Sequence, residues 1–216
     1  MGSRIVVFGA GGRVGRAAVA EAVGRGHAVT AVVRDPDKYP DLGSAPAVTV
    51  VRGDVTDVAS VAAVAAGHDA AVNASARMDI PSEEHFVGAV KALVAGLAEA
   101  GVGRLVVLGI ATTLETAPGV RAMDDPEFPA EYRAFSQGHV AEFEALRASA
   151  GGDLSWVMVV PPMDLDAAGP RTGRYRTAEG TALDGPGHLS HPDLAIALLD
   201  EIETRRHHGV QLAVAD

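Results

Sequence analysis

Apolar residues in this chain gather into short continuous runs rather than alternating with polar ones. Six such runs read as strands: Arg4–Phe8, Ala28–Val33, Val48–Arg52, Ala70–Asn73, Arg104–Leu108 and Ser155–Val160. A strand covered on both faces has no polar side to display, so an unbroken Val, Ile and Leu run is its signature. Between the runs the period changes. Segments near Val14–Arg25, Val58–Ala65, Glu84–Ala100 and Tyr132–Ala150 read as helices, and Gly26, Gly67 and Gly101 fall where helices should stop. Alternating strands and helices predict an α/β fold with a doubly wound parallel sheet and right-handed crossovers.

The pattern loosens after Pro161. Pro161-Pro162, Gly169-Pro170 and Gly185-Pro186-Gly187 punctuate a loop-rich stretch. Ser190-His191-Pro192-Asp193 signals a last helix over Leu194–Thr204, and Val210–Val214 reads as a terminal strand. The 216 residues suit one well-buried domain, 1–216, in which about 161–216 form a small lobe covering the substrate.

Composition narrows the function classes. Apolar residues are 48% and aromatic ones only 4%, so the core must be built of Ala, Val and Leu. A formal charge of −10 argues against a general nucleic-acid surface, which needs clustered Lys and Arg. The absence of cysteine removes disulfides and thiolate metal sites. No stretch has the length to span a bilayer, and the first strand begins without a signal-peptide hydrophobic region. The expectation is a cytoplasmic protein, monomer or homodimer, acting on a small molecule.

The chemistry starts at Gly9-Ala10-Gly11-Gly12-Arg13-Val14-Gly15, between the first strand and the first helix. A Gly-rich turn there lets backbone N–H groups and a helix N-terminus meet a pyrophosphate. Read from Gly9, the common G-x-G-x-x-G/A fingerprint needs a small residue where Val14 stands, whereas G-x-x-G-x-x-G fits Gly9, Gly12 and Gly15. Arg34-Asp35 ends the second strand, where dinucleotide-binding proteins read the adenosine ribose. Arg34, joined by Arg13, pairs with a 2′-phosphate and points to NADP; an acid at this place points to NAD, which stays the alternative. Asn73-Ala74-Ser75 ends the fourth strand, where small residues let the backbone approach a cofactor ribose.

Several runs carry a resemblance. They are Val50-Val51-Arg52-Gly53-Asp54-Val55-Thr56-Asp57, Gly67-His68-Asp69-Ala70-Ala71-Val72, and Ala100 to Gly109. Leu146-Arg147-Ala148-Ser149, Trp156 with Pro161-Pro162, and Gly169 to Arg176 extend it over nearly the whole chain. The chain resembles the atypical short-chain dehydrogenase/reductase superfamily, in its NAD(P)H-binding, NmrA-like and flavin/biliverdin-reductase-like branch. The resemblance implies an NAD(P)-binding Rossmann fold. It also implies that Asp54 accepts from the adenine amine while Val55 packs on the ring, although an Asp there serves equally well as a turn or N-cap residue.

The chain departs from ordinary short-chain dehydrogenases at the proton donor. Those enzymes use Tyr-x-x-x-Lys, in which Lys lowers the Tyr pKa. Here Tyr132 is followed by Ser136, and the only lysines are Lys38 and Lys91. The remaining candidates are Thr112, with Thr113 beside it, Tyr132 and His139. His139 shares an apolar helix face with Phe135, Phe143 and Leu146, which equally describes a core histidine. The acidic stretch around Glu115, Asp124, Asp125 and Glu127 reads as a surface flap over the site. Adjacent His207-His208 cannot face one way on a helix, so no metal is assigned. The expected activity is that of an NADP-dependent oxidoreductase on a small organic substrate. A non-redox epimerase, cyclase or dehydratase, and a non-catalytic NADP sensor with a protein partner, are the alternatives.

Overall fold

The structure, a computed structural model, describes residues 2–149, 153–185 and 187–216. Ala150, the expected end of one helix, and Pro186 lie outside the described residues. The elements run β1 (Arg4–Phe8), α1 (Arg13–Gly24), β2 (Ala28–Val33), β3 (Val48–Arg52), α2 (Val58–Ala65), β4 (Ala70–Asn73), α3 (Ser82–Ala100) and β5 (Arg104–Leu108). They continue with β6 (Glu115–Ala117), β7 (Val120–Arg121), α4 (Ala130–Ser149), β8 (Ser155–Val160) and β9 (Asp164–Asp166). The last are β10 (Arg176–Glu179), β11 (His188–Ser190), α5 (His191–Glu203) and β12 (Gln211–Ala215).

The central sheet has eight strands in the order β10-β12-β8-β5-β4-β1-β2-β3. All neighbours are parallel except β10, which pairs antiparallel with β12. The fold is therefore the Rossmann-like α/β architecture. Chain order reverses between β1 and β4: β1 leads outward to β2, and the chain later returns to lay β4 on its other side. That crevice is where the carboxyl ends of the strands leave room for a ligand.

The alternation within β1 divides the core. Ile5 and Val7 point to one face, where they meet Ala18, Val19 and Ala22 of α1 and Leu194, Leu198 and Ile202 of α5. Val6 and Phe8 point to the other, against Val61 of α2, Leu93 and Leu97 of α3, and Leu146 of α4. Two separate apolar layers explain why the strands carry no polar side. Helix starts follow local chemistry. Asp57 accepts from Ser60 N–H (2.6 Å) to cap α2, and Ser190 accepts from Asp193 N–H (3.1 Å) to cap α5. The second cap starts α5 at His191, three residues before the expected Leu194. Gly101, at φ +72°, stops α3.

Residues 161–216 do two things. The segments β9 and β11 form a separate two-stranded parallel sheet, while α5, β10 and β12 complete the main layers. Between β5 and α4 the expected acidic flap is a short hairpin, β6–β7. It is tied to the 180–182 segment by Glu115 N–H to Gly180 O and Ala182 N–H to Glu115 O.

The α2–α3 contact sets a stability test within one helix. A Cβ on Gly96 would sit 2.7 Å from Val61 Cβ and 2.8 Å from Val58 O, whereas one on Gly88 meets nothing closer than Thr56 Cγ2 at 3.8 Å. Replacing Gly by Ala inside a helix gains roughly 0.5–1 kcal/mol of propensity. Gly88→Ala should keep that gain. Gly96→Ala should lose about 1–3 kcal/mol net, because neither a helix backbone nor a β-branched core side chain can yield cheaply. Denaturant melts of the two variants check this; equal midpoints would refute the close contact.

Candidate functional site

The turn after β1 is shaped by what a side chain would strike. Gly9 has φ +73°, and a Cβ on it would sit 2.5 Å from Ala74 O at the end of β4. A Cβ on Gly15 would overlap Gly9 O, so α1 can lie against the turn only with glycine there. Gly12 N–H donates to Gly9 O (3.0 Å) and closes the turn. Gly12 is also the N-cap of α1 and offers no side-chain cap. The N–H groups of Arg13, Val14 and Gly15 thus find no acceptor among the described residues and point out of a helix N-terminus. Arg16 holds the turn from behind. It donates to Gly11 O (3.2 Å), forks onto Asp41 (2.6 and 3.2 Å) and lies over the Tyr39 ring.

This turn forms one wall of a cleft of about 360 Å³ along the carboxyl ends of β1, β2, β4 and β5. Of the residues expected to bind a cofactor, Gly9, Gly12, Arg13, Val14, Arg34, Asp54, Val55, Ala74 and Ser75 line it. Gly15 and Asn73 do not. Gly15 serves the packing just described. Asn73, 2% exposed, accepts from Ser75 Oγ (2.7 Å) and Ser75 N–H (3.2 Å) and so fixes the lining residue next to it.

Four further polar or charged side chains line the cleft that sequence reasoning did not single out as ligands: Tyr39, Arg77, His85 and His191. Tyr39 and Arg77 stand in loops with no motif around them. His85 sat unremarked inside the α3 pattern. His191 was visible, but only as part of a helix-start signal.

Charge at one end of the cleft is arranged around Asp54. Its Oδ1 accepts from Thr56 N–H (2.9 Å) and Thr56 Oγ1 (2.7 Å). That hydroxyl bond chiefly holds the carboxyl below the usual range, and the Arg77 and Arg34 guanidiniums add to it. Arg77 forks onto Asp79. Arg34 and Arg13 make no ion pair with a described residue, whereas Asp35 lies within 4.0 Å of both Lys38 (3.6 Å) and Arg52 and outside the cleft lining. Near Asp54 the cleft thus offers an acceptor and the unpaired Arg34 guanidinium; the Tyr39 ring lies against Gly11 of the turn, beside the open helix N–H groups.

The expected proton donors are elsewhere. Thr112 is buried, with Oγ1 2.8 Å from Ser136 Oγ of α4. Thr113 donates to Ile110 O and accepts from Gln211. Tyr132 is 56% exposed on the outer side of α4. His139 is 4% exposed, its ring 3.8 Å from that of Phe86 and its Nδ1 2.7 Å from Glu142 Oε2. None of these lines the cleft. The structure thus places them apart from the cleft lining: helix packing takes Thr112 and His139 inside, where Thr112 meets Ser136 and His139 meets Glu142. Glu115, Asp124, Asp125 and Glu127 also lie outside the lining.

The match to known families can now be read against this geometry. A family model described as NAD(P)H-binding covers residues 9–205. The chain belongs to the NAD(P)H-binding family. It fits within the atypical short-chain dehydrogenase/reductase superfamily. Among curated relatives, the uncharacterized protein YwnB of Bacillus subtilis is 34% identical over 98% of this chain and 97% of its own. A solved protein of Burkholderia pseudomallei, named as a candidate exported protein, is 36% identical with TM-score 0.86, covering 99% of this chain and 100% of that one. A candidate NADH-flavin reductase of Streptococcus pneumoniae shares 28% identity and TM-score 0.86 over 100% of both chains. Among the described residues no helix is long and apolar enough to cross a membrane.

The His139–Glu142 pair yields a pH test. Glu142 is 1% exposed, and its Oε1 meets no partner. Burial pushes its carboxyl above the usual range, and the bond from His139 opposes that. A pKa raised by folding stabilises the fold fully below the unfolded carboxyl value, near 4.5, and loses that contribution as pH rises toward the folded value. Glu142→Gln cannot ionise. The difference in melting temperature, variant minus parent, should grow from about pH 5 to about pH 8, whatever its offset. Parallel melting curves would show that the Glu142 carboxyl ionises as readily in the folded chain as in the unfolded one.

Proposed function

We propose that the protein is an NADP(H)-dependent oxidoreductase that reduces a small organic acceptor in the cytoplasm, as a monomer or homodimer. The observation that carries the cofactor reading is that Arg34, not Asp35, lines the cleft and has no carboxylate partner among the described residues. An acid in that place would accept from free ribose hydroxyls; a guanidinium instead forks onto a 2′-phosphate. The residues present fit a dinucleotide. Asp54 and Val55 would hold the adenine, Arg34 the 2′-phosphate, and the open N–H groups of Arg13, Val14 and Gly15 the diphosphate; the Arg13 side chain, expected beside Arg34, is instead near His191. Ala74 and Ser75, fixed by Asn73, leave room for the ribose. The bound nicotinamide supplies the hydride.

What the chain does is orient the cofactor and exclude water from the strand ends. With Thr112, Tyr132 and His139 outside the cleft, solvent supplies the proton. The likeness to a candidate NADH-flavin reductase supports the oxidoreductase reading. That none of the three expected donors lines the cleft favours a second reading, a non-catalytic NADP sensor with a protein partner.

Two measurements test this. Titration should give tighter binding of NADPH than of NADH, and Arg34→Ala should narrow the gap by about 10- to 100-fold, the worth of a charge-assisted contact. Equal affinities in the parent would remove Arg34 from the 2′-phosphate. NADPH oxidation should appear with a quinone, flavin, enone or carbonyl in a broad panel. It should fall less than about tenfold in Tyr132→Phe, Thr112→Val and His139→Ala chains that still bind NADPH, against the 10²–10⁴-fold of a true donor. No turnover together with a stoichiometric protein partner would favour the sensor. Turnover without net cofactor oxidation would favour a non-redox enzyme.

A further inference from the structure

Two histidines reach the cleft, and their surroundings differ. His85, in the first turn of α3, is 2% exposed. Its Nε2 lies 3.4 Å from Ser75 Oγ, and its Nδ1 meets neither a partner nor solvent. A proton added to Nδ1 would have no acceptor. Burial holds the ring below its ordinary value, and Arg77 and Arg34 hold it lower still. His85 is therefore hard to protonate, and its Nε2 faces Ser75.

His191 is the contrast. It opens α5, and the pairing of β11 with β9 (Leu189 with Leu165, Ser190 with Asp166) brings that helix start to the cleft. Leu165 and His191 both line it, facing the turn that carries Arg13. Ser190 locks the position: its Oγ donates to Pro170 O (2.8 Å) while accepting from Asp193 N–H. The His191 side chain is nearly buried, at 6% residue exposure, yet its ring nitrogens make no hydrogen bond with a described residue. Neither nitrogen is sealed off as His85 Nδ1 is. A polar ring held this firmly with both nitrogens unspent, at the edge of a cleft, is placed for a ligand.

The charges facing His191 are few. Arg13 comes from α1 and Asp166 from β9. Asp193, on its own helix, is occupied by Thr172 Oγ1 (2.6 Å) and the N–H groups of Thr172 and Gly173. Burial chiefly lowers the imidazole from its ordinary value, Arg13 lowers it further, and Asp166 opposes them. The ring is thus harder to protonate than an ordinary imidazole while the cleft is free of anions.

We propose that His191 is a ligand of the dinucleotide's diphosphate, reaching it from the side opposite the glycine-rich turn, and that it takes up one proton from solvent as the diphosphate binds. The proposal rests on the dinucleotide reading above. A diphosphate set against Arg13 reverses the local field, so the charged imidazole becomes the favoured form. The added proton sits on a ring nitrogen and is donated to a phosphate oxygen in a charge-assisted bond. Leu165, Leu108 and Val14 thin the water around it and strengthen the attraction. Affinity for the diphosphate then rises as pH falls.

The test is titration calorimetry of the full chain with ADP-ribose, in two buffers of different ionisation heat, from about pH 6 to about pH 8. ADP-ribose carries the diphosphate but lacks the 2′-phosphate, which itself titrates near pH 6. NADPH is run in parallel, reading the difference between parent and variant. The parent should bind about tenfold more tightly at the lower pH, the equivalent of a one-unit shift, with net proton uptake. His191→Gln should bind with little pH dependence and no uptake. His191→Lys should keep the low-pH affinity at the higher pH. Equal slopes and uptake in the parent and in His191→Gln, with melting temperatures unchanged, would overturn the proposal alone. A parent that binds none of NADPH, NADH and ADP-ribose would overturn the dinucleotide reading and this proposal with it.

Discussion

The whole cleft depends on how closely α1 can approach the end of β1. Gly9 must turn through a left-handed backbone conformation within reach of the Ala74 carbonyl, and Gly15 must let the helix rest on the Gly9 carbonyl. A Cβ at either position would push α1 outward. The helix N-terminus would then leave the carboxyl ends of the strands, and the unsatisfied N–H groups of Arg13, Val14 and Gly15 would no longer share a cleft with Arg34 and Asp54. Two absent methyl groups thus couple a backbone feature at the switch point to the electrostatics of the entire site.

A chain of net charge −10 still offers cations to an anionic ligand because of where its carboxylates are spent. At the amino ends of the strands the cations are paired. Arg104, fully buried, meets Glu201, Ser155 Oγ and the His207 carbonyl. Arg25 meets Glu21, Asp200 and Glu203, and Arg171 shares Glu21. That network ties α1 to α5 and leaves little positive charge to recruit a ligand. At the carboxyl ends Arg13 and Arg34 have no such partners among the described residues, and Asp35 is drawn aside by Lys38 and Arg52. The local sign of the cleft is set by this unequal pairing, not by the overall balance.

How much of this could be read from the residues depends on sequence distance. The bounds of β1, β2, β3, β4, β5, β8 and α2 follow from continuous apolar runs and their flanking glycines, because burial on two faces leaves a local imprint. The strands β9, β10 and β11 leave none. Arg176–Glu179 has no buried residue and pairs only at the sheet edge, so neither period nor polarity marks it. The site divides the same way. The glycine turn, Arg34 and Asp54 sit at strand ends within motifs, and their place is local. Arg77 and Tyr39 stand in loops just past those strand ends with no motif to mark them, and His191 comes to the cleft through the β9–β11 pairing. His139 shows the converse: its helical stripe was legible, but only the structure shows that Phe86 and Glu142 use both its ring face and its nitrogen.

The position of α5 joins these strands of argument. Its first turn is fixed by a cap that local sequence dictates, Ser190 to Asp193, yet what it faces is decided by the β9–β11 pairing far from the glycine turn. At its other end Asp200 and Glu203 bind Arg25 of α1. One helix is therefore anchored to α1 by ion pairs at the amino end of the sheet and presents His191 toward the start of α1 at the carboxyl end. A shift of α1 and a shift of α5 cannot occur independently, so the cleft width across Arg13 and His191 is held by contacts on the opposite side of the molecule. Small cores of Ala and Val pack closely enough to transmit that constraint, because a tightly packed layer has no slack to absorb it.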